Sequence, residues 1–190
     1  GGSAGGICWL LQDINRDSER WRLRGFVDDD ATKHGTCIWG SPVLGSLEKV
    51  ACFPAAKLVI GMANYRRPRI RAEISSRLAV PRDRYATLIH PFAVVAPDAT
   101  LGVGCLVFGS AFIGDCARLG DHVFVSPRAL ISHHVVVNDA ATLAVGATLC
   151  GGSSLGRGAY AGGGSIVKDG VRVGAGGGQG RDAGGPRGGG

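Results

Sequence analysis

Several features are missing from this sequence of 190 residues, and each absence removes a class of protein. No two of the six cysteines, at positions 8, 37, 52, 105, 116 and 150, stand as CxxC, which argues against a zinc ribbon or a redox pair. They read as small, buried, reduced thiols. No apolar run approaches the roughly 18 to 20 residues that cross a bilayer, the longest being of the length of KLVIGMA at 57–63. No charged segment followed by an apolar one opens the chain, so it is expected in the cytoplasm, with no membrane partner. The excess of 21 basic over 15 acidic residues is dispersed apart from RRPRIR at 66–71, and few aromatic residues are interleaved with it. Nucleic acid is therefore not expected, and phosphorylated small molecules suit the charge better.

What the sequence does contain is a repeat. Cut into sixes from Ile89, it reads IHPFAV, VAPDAT, LGVGCL, VFGSAF, IGDCAR, LGDHVF, VSPRAL, ISHHVV, VNDAAT, LAVGAT, LCGGSS, LGRGAY, AGGGSI, VKDGVR, VGAGGG. In these fifteen hexads the first position is Ile, Val or Leu fourteen times, Ala161 being the exception, and the fifth is always Ala, Cys, Ser, Gly or Val. A period of six is neither helical nor a plain strand alternation, so each hexad is a short strand and a turn with its first and fifth residues inward. Three such steps close a triangular coil. Gly102, Gly114, Gly120 and Gly156 at the second position, with Asp98, Asp115, Asp121 and Asp139 nearby, are expected to ease the corners. Five coils stacked at about 4.8 Å give a prism of roughly 24 Å, with each coil burying its core against its neighbours.

These hexads resemble the hexapeptide-repeat acyltransferases, and the resemblance implies a left-handed parallel β-helix over residues 89–173. Ahead of it, residues 1–88 read as a small Rossmann-like α/β unit whose first strand is expected to be missing. Its expected elements are a helix entered from GGSAGG and running over 7–14, a strand at 22–28, a buried strand at 57–60, a helix at 67–78 and a strand at 85–89, with a parallel sheet. GGSAGG does not satisfy GxGxxG, which speaks against a redox dinucleotide. Residues 174–190 hold ten glycines in seventeen positions and are expected to be disordered.

An α/β unit followed by LIHPFAVVAPDATLG and a hexad prism is similar to the sugar acetyltransferases of the sialic-acid O-acetyltransferase and bacillosamine N-acetyltransferase type. The segments that carry this likeness best are WRLRGFVDDD, the IHP junction and ALISHHVVVND. It implies acetyl-CoA as co-substrate, a nucleotide-sugar or sugar acceptor, a homotrimer with the cleft between subunits, and no resident metal. It also implies that His133 is the general base, with the amide of Gly151 facing the thioester oxygen and Ser126, Gly162 and Gly163 lining the coenzyme A cleft. The glycines can equally serve corner geometry alone.

Acyl transfer requires a base, because a proton must leave the amine or hydroxyl as it attacks, and imidazole titrates near pH 6.5. At 18 residues per coil His133 lies over Asp115 and under Gly151, so Asp115 is a candidate partner for the ring. His134 stands where the family commonly has an acid; on a strand it would point away from His133, as a relay, an acceptor contact or a solvent-facing residue. Asp28 and Asp29, at the carboxyl end of a strand, either grip a ribose or uracil or, with Asp30, solvate a turn. His90 and His122 read as structural. Two other functions fit the fold: a zinc hydratase of the γ-carbonic-anhydrase kind, whose paired histidines five residues apart have no counterpart here, and a β-helix that binds sugar nucleotides without turnover.

Overall fold

The computed structural model describes residues 2–179, and from Leu88 onward the chain takes a two-residue strand every six residues. Each strand pairs in parallel with the one 18 residues later, as in Leu130 with Thr148 and Val136 with Ser154. The sixteen strands β4 (Leu88–Ile89) to β19 (Gly178–Gln179) form three sheets of six, five and five strands. These sheets are the sides of the expected prism, a left-handed parallel β-helix.

Its interior is the pair of small and aliphatic columns expected from the repeat. Val107, Ile113, Val125, Ile131, Val137, Leu143 and Leu149 come from the first hexad position and Ala111, Ala117, Ala129, Ala141 and Ala147 from the fifth, all at most 1% exposed. The pattern fails only at the open ends, where Ile89 and Val171 reach solvent. The ordered coil also continues past the expected boundary at 173. Residues 174–177 make its last corner and 178–179 its last strand, and the rest of the glycine-rich segment lies outside the described residues.

The corners are built differently from the expectation. From 104 to 176 every sixth residue, the fourth of its hexad, has φ between 54° and 71°. From His122 onward its N–H donates to the carbonyl 19 residues earlier, as from His134 to Asp115 and Gly152 to His133, while Ser110 reaches Phe92, 18 residues back, and Cys116 the Asp98 carboxylate. Six of these left-handed positions carry side chains, Ser110, Cys116, His122, Arg128, His134 and Ala140. The second-position glycines serve close approach instead: a Cβ on Gly102 would lie 2.6 Å from the carbonyl carbon of Gly120, and one on Gly156 2.6 Å from the amide of Ala175. Asp98, Asp121 and Asp139 do bond neighbouring coils, accepting from the amides of Cys116, Val103 and Asp121.

The segment before the prism is less regular than its sequence suggests. Helix α1 spans Gly2–Ile14 and α2 only Ile70–Leu78. β1 is reduced to Phe26–Val27; it pairs in parallel with β3 (Ser41–Gly45), whose other partner is antiparallel β2 (Cys37–Ile38). Trp39 and Gly40, both at positive φ, make the two-residue turn of that hairpin, which the all-parallel expectation missed. The expected strand at 57–60 is a single bridge from Leu58 to Tyr85.

This segment shares its core with the prism. Ile7, Leu10 and Leu11 of α1 pack on Leu88, Leu106, Phe108 and Phe124, which cover the six-stranded side. α2 sits at the adjoining corner. No helix among the described residues is long and apolar enough to cross a membrane. All six cysteines are free, but only Cys8 and Cys105 are buried; Cys37, Cys52 and Cys116 are exposed because they lie on the hairpin, a turn and a corner.

Candidate functional site

Each coil has three corners, so residues 18 apart form columns along the prism edges. One edge carries Asp115, His133, Gly151 and Asp169 in succession. It separates the side formed by β5 (Val94–Val95), β8 (Phe112–Ile113), β11 (Leu130–Ile131), β14 (Thr148–Leu149) and β17 (Ile166–Val167) from the side formed by β6 (Thr100–Leu101), β9 (Arg118–Leu119), β12 (Val136–Val137), β15 (Ser154–Leu155) and β18 (Arg172–Val173). His133 and His134 are both exposed here.

The two imidazoles do not diverge. They lie in a turn and not on a strand, and His134 takes the left-handed conformation, φ 59°, which swings its ring back beside its neighbour. The Nδ1 atoms are 3.3 Å apart and the rings meet edge to face at 5.4 Å between centroids. The opposite-face expectation for His134 is therefore corrected by one backbone dihedral. The other end of the His133 ring lies against Gly151: a Cβ there would be 2.5 Å from Cε1 and 2.6 Å from Nε2. Only glycine admits the ring at that height. Asp169 stands beyond, its Oδ1 3.2 Å from the same Cβ position.

Asp115 occupies the expected place one coil before His133, joined to this corner through its backbone carbonyl, which accepts from the His134 N–H at 2.8 Å. Its carboxylate makes no hydrogen bond to His133 among the described residues. The neighbouring Asp98 carboxylate accepts from both the amide and the thiol of Cys116 at 3.1 Å, and those two bonds hold it below the usual carboxylate range. The same thiol bond pushes Cys116 upward.

Ser126, Gly162 and Gly163 lie on a different edge, between the six-stranded side and the side bearing β11. In one chain the candidate base and the candidate cofactor-lining residues thus flank opposite edges of one sheet. The backbone amides of Gly151 and Gly163 donate to no acceptor among the described residues, whereas that of Ser126 donates to the Leu143 carbonyl.

The aspartates after β1 are engaged locally and are not brought to His133. Asp28 bonds Lys33 at 2.8 Å and the Asp30 amide; burial works against its ionisation, yet these bonds leave it lowered. Asp29 accepts from the Leu47 amide and pairs with Arg77 of α2, and both lower it. Asp30 caps the turn at Ala31–Lys33 through Thr32. Of the other histidines, His90 bonds Asp13 at 2.8 Å and accepts from the Phe92 amide. His122 is buried against Tyr85 and Ser75, and desolvation lowers it. Both are buried where the first segment meets the prism. No group of three or more His, Cys, Asp or Glu among the described residues is placed to hold a metal ion.

The fold and this edge define a left-handed β-helix protein whose chemistry-bearing residues stand at a corner of the prism. The chain is similar in structure to PerB, the GDP-perosamine N-acetyltransferase of Caulobacter crescentus, solved with CoA and GDP-perosamine: 26% identity, TM-score 0.78, covering 92% of this chain and 80% of that one. It is similar also to the acetyltransferase domain of PglB from Neisseria gonorrhoeae, solved with acetyl coenzyme A: 26% identity, TM-score 0.70, covering 93% and 86% of the two chains. WeeI from Acinetobacter baumannii shares the fold at 18% identity and a TM-score of 0.59, covering 89% of each chain. No protein-family model and no curated protein matches the chain.

Proposed function

We propose that this protein is an acetyl-CoA-dependent acetyltransferase acting on the amino group of a nucleotide-linked sugar, with His133 as general base. The observation that carries this reading is the stack of the His133 ring on Gly151, which sets a basic nitrogen beside an unused backbone N–H on an open edge. The acceptor amine attacks the thioester carbonyl carbon and its proton passes to Nε2 of His133. The Gly151 N–H supports the oxyanion that develops. Collapse breaks the carbon–sulfur bond, and the departing thiolate recovers the proton from His133. The likeness to PerB and the PglB domain supports acetyl-CoA as donor and a nucleotide sugar as acceptor.

The assay is incubation with acetyl-CoA and a set of nucleotide-linked amino and deoxy sugars, read by mass spectrometry. Acetylation of an amino sugar is the expected result. Acetylation of hydroxyl sugars alone would move the reading to O-transfer, and the absence of any product would favour a protein that binds sugar nucleotides without turnover.

The working unit in this proposal is a homotrimer. Ser126, Gly162 and Gly163 on one edge can reach the thioester only if a second copy brings them to the His133 edge of its neighbour, a head-to-tail contact that closes as a ring. The sheet between those edges is dressed for contact: Val94, Phe112, Leu130 and Ile166 are 56, 42, 38 and 64% exposed in one column, interrupted by Thr148. Phe112→Asp should convert three chains per particle to monomer by light scattering and abolish turnover with the fold intact by circular dichroism. An active monomer would remove the shared site.

A further inference from the structure

We infer that His134 is a positioning residue that fixes the proton of His133 on Nδ1 and so leaves Nε2 free to act as base. The inference deepens the general-base reading and rests on it for its catalytic consequence. Two imidazole Nδ1 atoms 3.3 Å apart cannot both present lone pairs, nor both carry protons, without repulsion. One donates and the other accepts. The Nε2 of His133 lies 2.6 Å from where a Cβ on Gly151 would stand and has no hydrogen-bond partner among the described residues, so no other contact fixes its tautomer. A ring that donates from Nδ1 to His134 presents its lone pair at Nε2, on the side where the Gly151 amide is also free. The reverse arrangement puts a proton on Nε2 and silences the base.

His134 occupies the left-handed corner position that the next two coils along this edge give to Gly152 and Gly170. A side chain there costs conformational energy that glycine avoids, and the same dihedral turns Nδ1 towards His133. The charged and titratable groups around the pair are Asp98, Asp115 and Cys116 on the preceding coils and Asp169 on the far side of Gly151. Asp98 is within electrostatic reach of His134, but its Oδ2 accepts from the amide and thiol of Cys116. None of the four carboxylate or thiol groups hydrogen-bonds either ring, which leaves each imidazole as the other's partner.

Two substitutions separate positioning from folding. His134→Gly suits the dihedral and removes the acceptor; kcat should fall about 10- to 100-fold with KM for acetyl-CoA unchanged and thermal stability equal or higher. His134→Asn keeps an acceptor oxygen close to the Nδ1 site and tolerates the left-handed region, so kcat should return to within about threefold of the parent. Nitrogen-15 histidine spectra of the free protein above the imidazole titration range should show His133 as the Nδ1–H tautomer in the parent and the Asn variant, and a mixture in the Gly variant. A parent His133 protonated on Nε2, or a His134→Gly enzyme with normal kcat, overturns the inference. The spectra need no turnover, so an inactive parent protein would count against the acetyltransferase reading and leave the tautomer result standing.

Discussion

His133→Ala should lower turnover by about 10² to 10⁴, the range over which a positioned acid or base contributes to a proton transfer, while calorimetry shows acetyl-CoA binding nearly unchanged. The separation follows from what the ring touches. Its Cε1 and Nε2 occupy the place where a Cβ on Gly151 would stand, and its Nδ1 meets His134, so deletion leaves the buried columns of the prism untouched. A fall in kcat and kcat/KM together is the signature of an interaction made only as the proton moves. If His133→Ala turns over normally while His134→Ala is dead, the base is the second histidine. If both are active, the edge column has no part in proton transfer.

The prism was legible in the sequence because a six-residue period forces the same two residue classes into the interior on every coil. The first-position aliphatics and fifth-position alanines that fill it are contiguous in the sequence pattern and need no long-range information. The corners were harder to read. Six of the left-handed positions carry side chains, so glycine content alone does not mark them, while the glycines that stand out, such as Gly102 and Gly156, are there because a neighbouring coil leaves no room for a Cβ. The same blindness hid the pairing of His133 with His134, since strand logic separates adjacent residues and only the corner dihedral of residue 134 brings them together. Stacking at 18-residue intervals correctly put Asp115, His133 and Gly151 in one column, yet said nothing of which side chains would bond. Before residue 88 the pattern was weaker still. Strands two residues long leave almost no alternation to detect, and the packing of α1 against Leu106 and Phe124 depends on residues about a hundred positions away.

Arg71 is the clearest example of a residue whose role distance concealed, and its loss should have the largest effect on stability. In the sequence it is the end of a basic run; in the structure it is 1% exposed, at the start of α2 against the prism corner. Its guanidinium donates to the carbonyls of His122 at 2.9 Å, Met62 at 2.5 Å, Ala140 at 2.6 Å and Ala141 at 3.0 Å, and to Thr142 Oγ1 at 2.6 Å, and it lies over the Phe124 ring. No carboxylate is among these partners. Desolvation brings it down to about 10, so the charged form is penalised by burial at neutral pH and that penalty lifts only as pH rises through about 10. The fork of donors, and not charge pairing, is what retains it. Arg71→Met would leave the His122 and Ala140 carbonyls and the Thr142 hydroxyl, all in buried residues, with no other hydrogen-bond partner among the described residues. At roughly 1 to 3 kcal/mol for each orphaned buried group, the loss is on the order of 3 kcal/mol or more. It should also be local. All three tryptophans, Trp9, Trp21 and Trp39, precede the prism, so fluorescence follows the segment that Arg71 clamps, while circular dichroism follows the coils, which depend chiefly on their neighbours. In urea the fluorescence midpoint of Arg71→Met should drop well below its dichroism midpoint, whereas the parent protein should show the two much closer together. Coincident and unshifted midpoints in the variant would mean that the corner carbonyls find water at no cost and that α2 is held by its apolar contacts alone.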